Sequence, residues 1–172
     1  GKDLFVSAGT WLLTGGLTEQ PAAGEAGYTY GVSNERAGNG GYRPNKILLG
    51  LWLLEQLLPS FGDRPTKDSE WNALIEAAEA KNAPATRIDT ADRDLFNPRD
   101  MRAAIDANLK RRGVTPPSDL AGYTRLICDS LGESVADAAV KFRDMTGTAF
   151  DNIIIVGGGS KNRLLCQRIA DF

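Results

Sequence analysis

Ile153-Ile154-Ile155-Val156-Gly157-Gly158-Gly159-Ser160-Lys161-Asn162-Arg163-Leu164-Leu165-Cys166-Gln167 sets a strand, a turn and a helix end to end. The β-branched run 153–156 is of strand length and apolar throughout, the pattern of a parallel strand buried on both faces. Three glycines follow, and Ser160 can cap a helix that buries Leu164, Leu165 and Ile169. Such a junction brings bare backbone N–H groups and the positive end of a helix to one place, where a side chain on the glycines would stand in a ligand's way. On its own it is equally a tight strand-to-helix turn that holds nothing. Neither GxGxxG nor GxxxxGK[ST] is present, so a dinucleotide fingerprint and a P-loop are not supported.

At the other end of the chain, Leu4-Phe5-Val6-Ser7-Ala8-Gly9-Thr10-Trp11-Leu12-Leu13-Thr14 reads as two short strands around a small-residue turn at 7–10. That turn can aim N–H groups and the Thr10 hydroxyl at an anion, although small turns of this kind are also common hairpin connections. Residues 15–41, rich in Gly, Ala, Thr and Asn, read as a long loop, a length often tied to function.

Residues 47–58 are apolar nearly all round and predict one buried helix, with Gly50 marking close packing against a neighbour. A second helix is expected from about 68 to 81, capped by Asp68 or Ser69. A short strand is expected at 87–89, and a helix ending near Arg112. Asp89 to Asp94 lacks the glycine and terminal glutamate of a calcium loop and reads as solvated. Asp119 opens the longest helix, whose apolar residues Tyr123, Ile127, Leu131, Val135, Ala138 and Phe142 form one stripe before Gly147.

The totals exclude several classes. With 172 residues, 42% of them hydrophobic and 24% charged, the chain has the composition of a globular domain. A net charge of −2 gives no basic surface for nucleic acid. There is no histidine, which removes Ser-His-Asp hydrolysis and imidazole acid–base chemistry. Cys128 and Cys166 have no metal-ligand spacing and read as reduced thiols suited to the cytoplasm. No apolar run reaches the length of about 20 residues that spans a bilayer, so neither a membrane nor a nucleic acid is an expected partner.

Taken in order, "SAGTW" at 7–11, "SNERAG" at 33–38, "GLWLLEQ" at 50–56 and Gly-Gly-Gly-Ser-x-Asn-x-Leu-Leu-x-Gln at 157–167 closely resemble the FGGY carbohydrate kinases, and within them the rhamnulokinase branch. The resemblance implies an α/β, ribonuclease-H-like domain of the actin, hexokinase and sugar-kinase superfamily. It implies ATP-dependent transfer of a phosphoryl group, with Mg²⁺, to the 1-hydroxyl of a ketose, L-rhamnulose being favoured. Other ketose kinases of the family (fuculose, xylulose) and a non-catalytic nucleotide-binding relative are the alternatives. Carried over by position, Gly9 and Thr10 face the β- and γ-phosphates. Gly157, Gly158 and Gly159 lie along the adenosine and α-phosphate, with Asn162 near the adenine. Asn34 touches the sugar, although Arg36 stands where the family usually has glycine.

The same resemblance places the family's aspartate base, and the sugar-binding N-terminal domain, before the equivalent of Gly1. No catalytic residue or metal ligand is therefore assigned within the chain, which reads as the nucleotide-binding portion cut at both ends and inactive alone. A strand at 153–156 that proved helical or exposed would count against this reading.

Overall fold

The structure, a computed structural model, describes residues 2–38, 40–62 and 64–172; Gly1 lies outside them. As expected, residues near the start form a hairpin. Strand β1 (Asp3–Ala8) pairs antiparallel with β2 (Trp11–Gly16), Ala8 lying opposite Leu12. Leu4, Val6 and Ala8 alternate into the core, as a period of two requires when only one face is deeply covered.

The segment expected as loop is more ordered than its composition suggests. It holds α1 (Glu25–Tyr30), closed by Gly31, and β3 (Ser33–Arg36), which pairs antiparallel with β4 (Tyr42–Leu49). Every side chain of β3 is exposed, so the strand carries no apolar alternation to announce it. Backbone pairing, the Arg43–Glu35 ion pair and Arg36 lying 4.7 Å over the Tyr42 ring hold it instead.

The single helix expected at 47–58 is corrected too. Strand β4 runs to Leu49, the chain turns at Gly50, and only α2 (Trp52–Leu57) is helical before a 3-10 turn at Leu58–Phe61. An unbroken apolar run has no period, so it cannot distinguish a strand, a turn and a short helix from one long helix.

Helix α3 (Asp68–Glu79) starts as placed, but neither Asp68 nor Ser69 caps it. Glu70 reaches back instead, its Oε2 accepting the N–H groups of Thr66 at 2.7 Å and Lys67 at 3.2 Å. No strand forms at 87–89; Ile88 N–H donates to Ser130 Oγ at 2.9 Å, pinning that loop to a helix rather than to a sheet.

Helix α4 (Met101–Arg111) and the long α5 (Leu120–Thr146) follow the sequence reading closely. Asp119 caps α5 by accepting Gly122 N–H at 2.8 Å, and Gly147 ends it in the left-handed conformation (φ 68°) that favours glycine. Tyr123, Ile127, Leu131 and Val135 of α5 share one core with Leu4, Val6, Ala8 and Leu12 of the hairpin.

Strand β5 (Asn152–Val156) pairs parallel with β1, Val6 opposite Ile155. A 3-10 turn (Gly158–Lys161) leads into α6 (Arg163–Asp171), whose Leu164, Leu165 and Ile169 are buried as expected. Its cap is Asn162, whose Oδ1 accepts Leu165 N–H at 3.0 Å, and not Ser160, whose hydroxyl donates to Gly157 O at 2.7 Å.

Among the described residues the sheet order is β3-β4-β2-β1-β5. Strand β5 therefore stands at an edge, and the expectation that it is buried is wrong. Ile153, Ile154 and Val156 are 39%, 45% and 37% exposed, and only Ile155 packs on the core. Parallel pairing and apolar character were read correctly; burial depends on what lies beside the strand, and no described residue covers its outer edge.

The cap at Asp119 makes a pH-dependent contribution. The Lys81 ammonium, 2.5 Å from its carboxylate, and then the Gly122 N–H hold this carboxyl below the usual range. A folded pKa below the unfolded value stabilises fully above the unfolded pKa and ceases to do so as pH falls through the folded one. Asp119→Ala should cost about 1 kcal/mol at neutral pH, with the gap from the parent closing below about pH 4. Denaturant titrations at pH 7 and pH 3 measure both; an equal gap at the two values would refute it.

Candidate functional site

Strand β1 ends at Ala8 beside the place where β5 ends at Val156, because the two strands are parallel and in register. The turns that follow them, Gly9–Thr10 and Gly157–Lys161, must then emerge at the same edge of the sheet. They do, and both line a cavity of about 710 Å³. Its far side is built by α2 and α3, through Leu51, Leu54 and Ile75 among others.

The three glycines of the second turn do different work. A Cβ on Gly157 would sit 2.6 Å from Ala8 O, and its φ of 87° disfavours any side chain. A Cβ on Gly159 would meet Ala8 Cβ at 2.9 Å. These two let the turn lie flat on β1. A Cβ on Gly158 would meet nothing within 4 Å, since that side faces the cavity. The N–H groups of Gly158 and Gly159 come before any carbonyl they could bond within the 3-10 turn, and they have no partner among the described residues.

In the first turn, Gly9 N–H bonds Trp11 O at 3.0 Å, while the N–H and hydroxyl of Thr10 have no partner among the described residues. The turn is fastened from the α2 side, where Leu51 N–H and Trp52 N–H donate to the carbonyls of Gly9 and Thr10 at 2.9 and 3.0 Å. Lys161 also lines the cavity, and its ammonium has no ion-pair partner among the described residues. Backbone donors, a hydroxyl and a cation without partners among the described residues, beside a glycine that adds no side chain, suit an anionic ligand lying close against the turns.

Of the residues singled out in the sequence, Gly9, Thr10, Gly158, Gly159 and Asn162 line this cavity. Gly157 supports it from behind. Asn34 is not there. It lies on β3, the opposite edge strand, with Ala22 N–H donating to its Oδ1 at 2.8 Å and its Nδ2 donating to Ala22 O at 3.2 Å. Its amide closes the loop around α1, on the far edge of the sheet from the two turns. Asn162 lines the cavity with its amide already in use, capping α6 through Oδ1 and donating to Cys128 Sγ at 3.8 Å through Nδ2. Burial pushes the Cys128 thiol up to about 12, so it is an inert neutral partner.

The wall supplied by α3 was missed: Trp71, Asn72 and Ile75 read only as an ordinary amphipathic helix. Arg163, at the start of α6, bonds Glu79 at 2.7 Å and lies 3.6 Å from Glu76, which holds α3 against the second turn. Beneath, the buried Asp129 accepts from Arg125 Nε at 3.1 Å with Arg87 and Arg168 each 3.9 Å away, locking α5, α6 and the loop before α4 together.

A family model described as "FGGY family of carbohydrate kinases, C-terminal domain" matches residues 4–172. The chain belongs to the FGGY family of carbohydrate kinases. Within that family it is rhamnulokinase-like: a rhamnulokinase from Enterobacter sp. (strain 638) is 34% identical over 167 residues, which are 97% of this chain and 33% of that protein. The chain thus spans about a third of the length of that relative. A xyloylose kinase structure from Brucella ovis superposes with a TM-score of 0.70 at 17% identity, covering 98% of this chain and 34% of that one. The xylulose kinase from Bifidobacterium adolescentis gives 0.62 at 18% identity, over 95% of this chain and 30% of that one. These two show that the fold, a mixed α/β domain on a five-stranded sheet, is one shared with sugar kinases. Exposure of β5 is therefore no argument against the family. No helix among the described residues is long and apolar enough to cross a membrane.

Proposed function

We propose that this chain is the nucleotide-binding portion of an ATP-dependent ketose kinase that phosphorylates the 1-hydroxyl of L-rhamnulose. The observation that carries the reading is the convergence of the two turns, Gly9–Thr10 and Gly158–Gly159, on one cavity, with the Thr10, Gly158 and Gly159 N–H groups free of partners among the described residues. Phosphoryl transfer needs positioning and charge neutralisation more than covalent chemistry. Thr10 N–H and Oγ1 would hold the terminal phosphates, and the Gly158 and Gly159 N–H groups those nearer the nucleoside. Lys161 would offset their charge. The preference for rhamnulose rests on the identity to the Enterobacter rhamnulokinase.

Mg²⁺ would neutralise the phosphates further. Among the described residues no cluster of three or more His, Cys, Asp or Glu could hold a metal ion, and an ion carried in on the phosphates needs no such cage. The carboxylate that takes the sugar hydroxyl proton is assigned to a part of the protein N-terminal to this chain, as is most of the sugar site. Asn34 keeps a sugar role only by resemblance, since its amide is already paired.

The test uses this chain beside the full-length protein, with ATP, Mg²⁺ and L-rhamnulose, following ADP release and nucleotide binding. The chain should bind ATP yet show no turnover, since general-base assistance alone is worth about 10²–10⁴-fold. Turnover within tenfold of the full-length protein would place the base among these residues. Failure of the full-length protein to phosphorylate any ketose would overturn the kinase reading.

A further inference from the structure

The phosphate contacts leave one cation of the cavity unused. Arg64 lines it together with Glu55, Asp68 and Lys161. The arginine lies on the short connection between the 3-10 turn at Leu58–Phe61 and α3, where Pro65, the next residue, disfavours helical backbone. Its guanidinium meets the Glu55 carboxylate through Nη2, at 2.8 Å, and Nε and Nη1 have no partner among the described residues. The two side chains are 61% and 33% exposed, which makes this a surface pair. Glu55 N–H bonds Leu51 O at 2.9 Å, and Leu51 N–H in turn bonds Gly9 O. Glu55 is therefore rooted one helical pitch, about 5.4 Å, beyond the residue that fastens the first turn.

We infer that Glu55 and the polyphosphate of the nucleotide compete for Arg64, which leaves the carboxylate and binds the phosphates when the nucleotide enters. This rests on the reading of the cavity as a nucleotide site. An exposed ion pair held through one nitrogen contributes little, since water screens it and two long side chains must be ordered to form it. A phosphate presents several charged oxygens and can take two parallel N–H bonds from the guanidinium fork, a stronger arrangement. The exchange therefore runs toward the phosphate. Lys161 is a flexible point charge and offers no such fork. Glu55 thus lowers nucleotide affinity by holding Arg64. Asp68 differs, because it has no ion-pair partner among the described residues and can only repel the phosphates through space.

The experiment titrates the full-length protein and its variants with ATP by calorimetry, with thermal unfolding alongside. Arg64→Gln should weaken ATP by about tenfold or more. Glu55→Gln, which keeps the side chain's length without its charge, should tighten ATP by about threefold more than Asp68→Asn does. In the Arg64→Gln background the two neutralising substitutions should have equal effects, because no guanidinium is left to release. Unfolding midpoints should hold, since Arg64 and Asp68 are exposed and Glu55 is only partly covered. Opposite signs at two residues that touch cannot come from a loosened cavity, which would weaken ATP in both.

Unchanged ATP affinity in Arg64→Gln, or a Glu55→Gln effect no larger than that of Asp68→Asn, with ATP still bound by the parent, would overturn this inference and leave the kinase reading standing. A parent protein that binds no ATP would overturn both.

Discussion

Gly158→Val should weaken ATP binding by about a hundredfold while leaving the fold intact. The two halves of that expectation come from one measurement. A Cβ at Gly158 meets no atom within 4 Å, so the backbone accepts a side chain without rearrangement. The space it fills is the cavity side of the turn, where a phosphate must come within hydrogen-bonding distance of the Gly158 and Gly159 N–H groups. Hydrogen bonds to a charged group are worth about 1.5–3 kcal/mol each, and about 2.8 kcal/mol is a hundredfold in affinity. Gly159→Val is the instructive contrast. Its Cβ would press on Ala8, whose Cβ lies 2.9 Å away, so that variant should lose stability along with binding. Calorimetric titration and thermal unfolding of both variants separate the two causes. Unchanged ATP affinity in Gly158→Val would mean that the nucleotide does not lie against this turn.

How much of this was legible in the sequence depended on whether the signal was local. The strand, turn and helix around Gly157–Ser160 were readable because β-branched residues, glycines and an amphipathic stripe each act within a few positions. The stripe of α5 was readable for the same reason, together with both its caps. Exposure of β5 was not, since Ile153 to Val156 would read identically in the middle of a sheet or at its edge. The run at 47–58 misled because burial on every side erases the period that separates strand from helix. Asn34 was chosen from a motif, but its partner, the Ala22 backbone, becomes visible only when the chain folds back. Trp71 and Asn72 had no signal at all. They belong to the cavity because Arg163, far along the chain, draws α3 toward the glycine turn.

Gly50→Val should be the most destabilising of the substitutions considered, at about 2–6 kcal/mol, and should remove nucleotide binding as well. The sequence marked Gly50 as a close-packing position inside a helix; the structure keeps the close packing and moves it to the junction between β4 and α2. A Cβ there would lie 2.7 Å from Gly9 O and 2.8 Å from Thr10 O, both backbone atoms that no rotamer change can move aside. Relief requires the first turn to shift, which stretches the bonds from Leu51 N–H to Gly9 O and from Trp52 N–H to Thr10 O. Overpacking of this kind costs about 1–3 kcal/mol, and the two bonds add about 0.5–1.5 kcal/mol each. That total is a large share of the 5–15 kcal/mol by which a domain is stable. The same shift carries the Thr10 N–H and hydroxyl away from the glycines of the second turn, so the phosphate site is lost by geometry even in molecules that remain folded. Urea unfolding should show a lower midpoint with an unchanged slope, the signature of altered stability in the same native fold. A Gly50→Val protein as stable as its parent would show that the first turn is not anchored on α2, and the rigidity claimed for the phosphate site would fall with it.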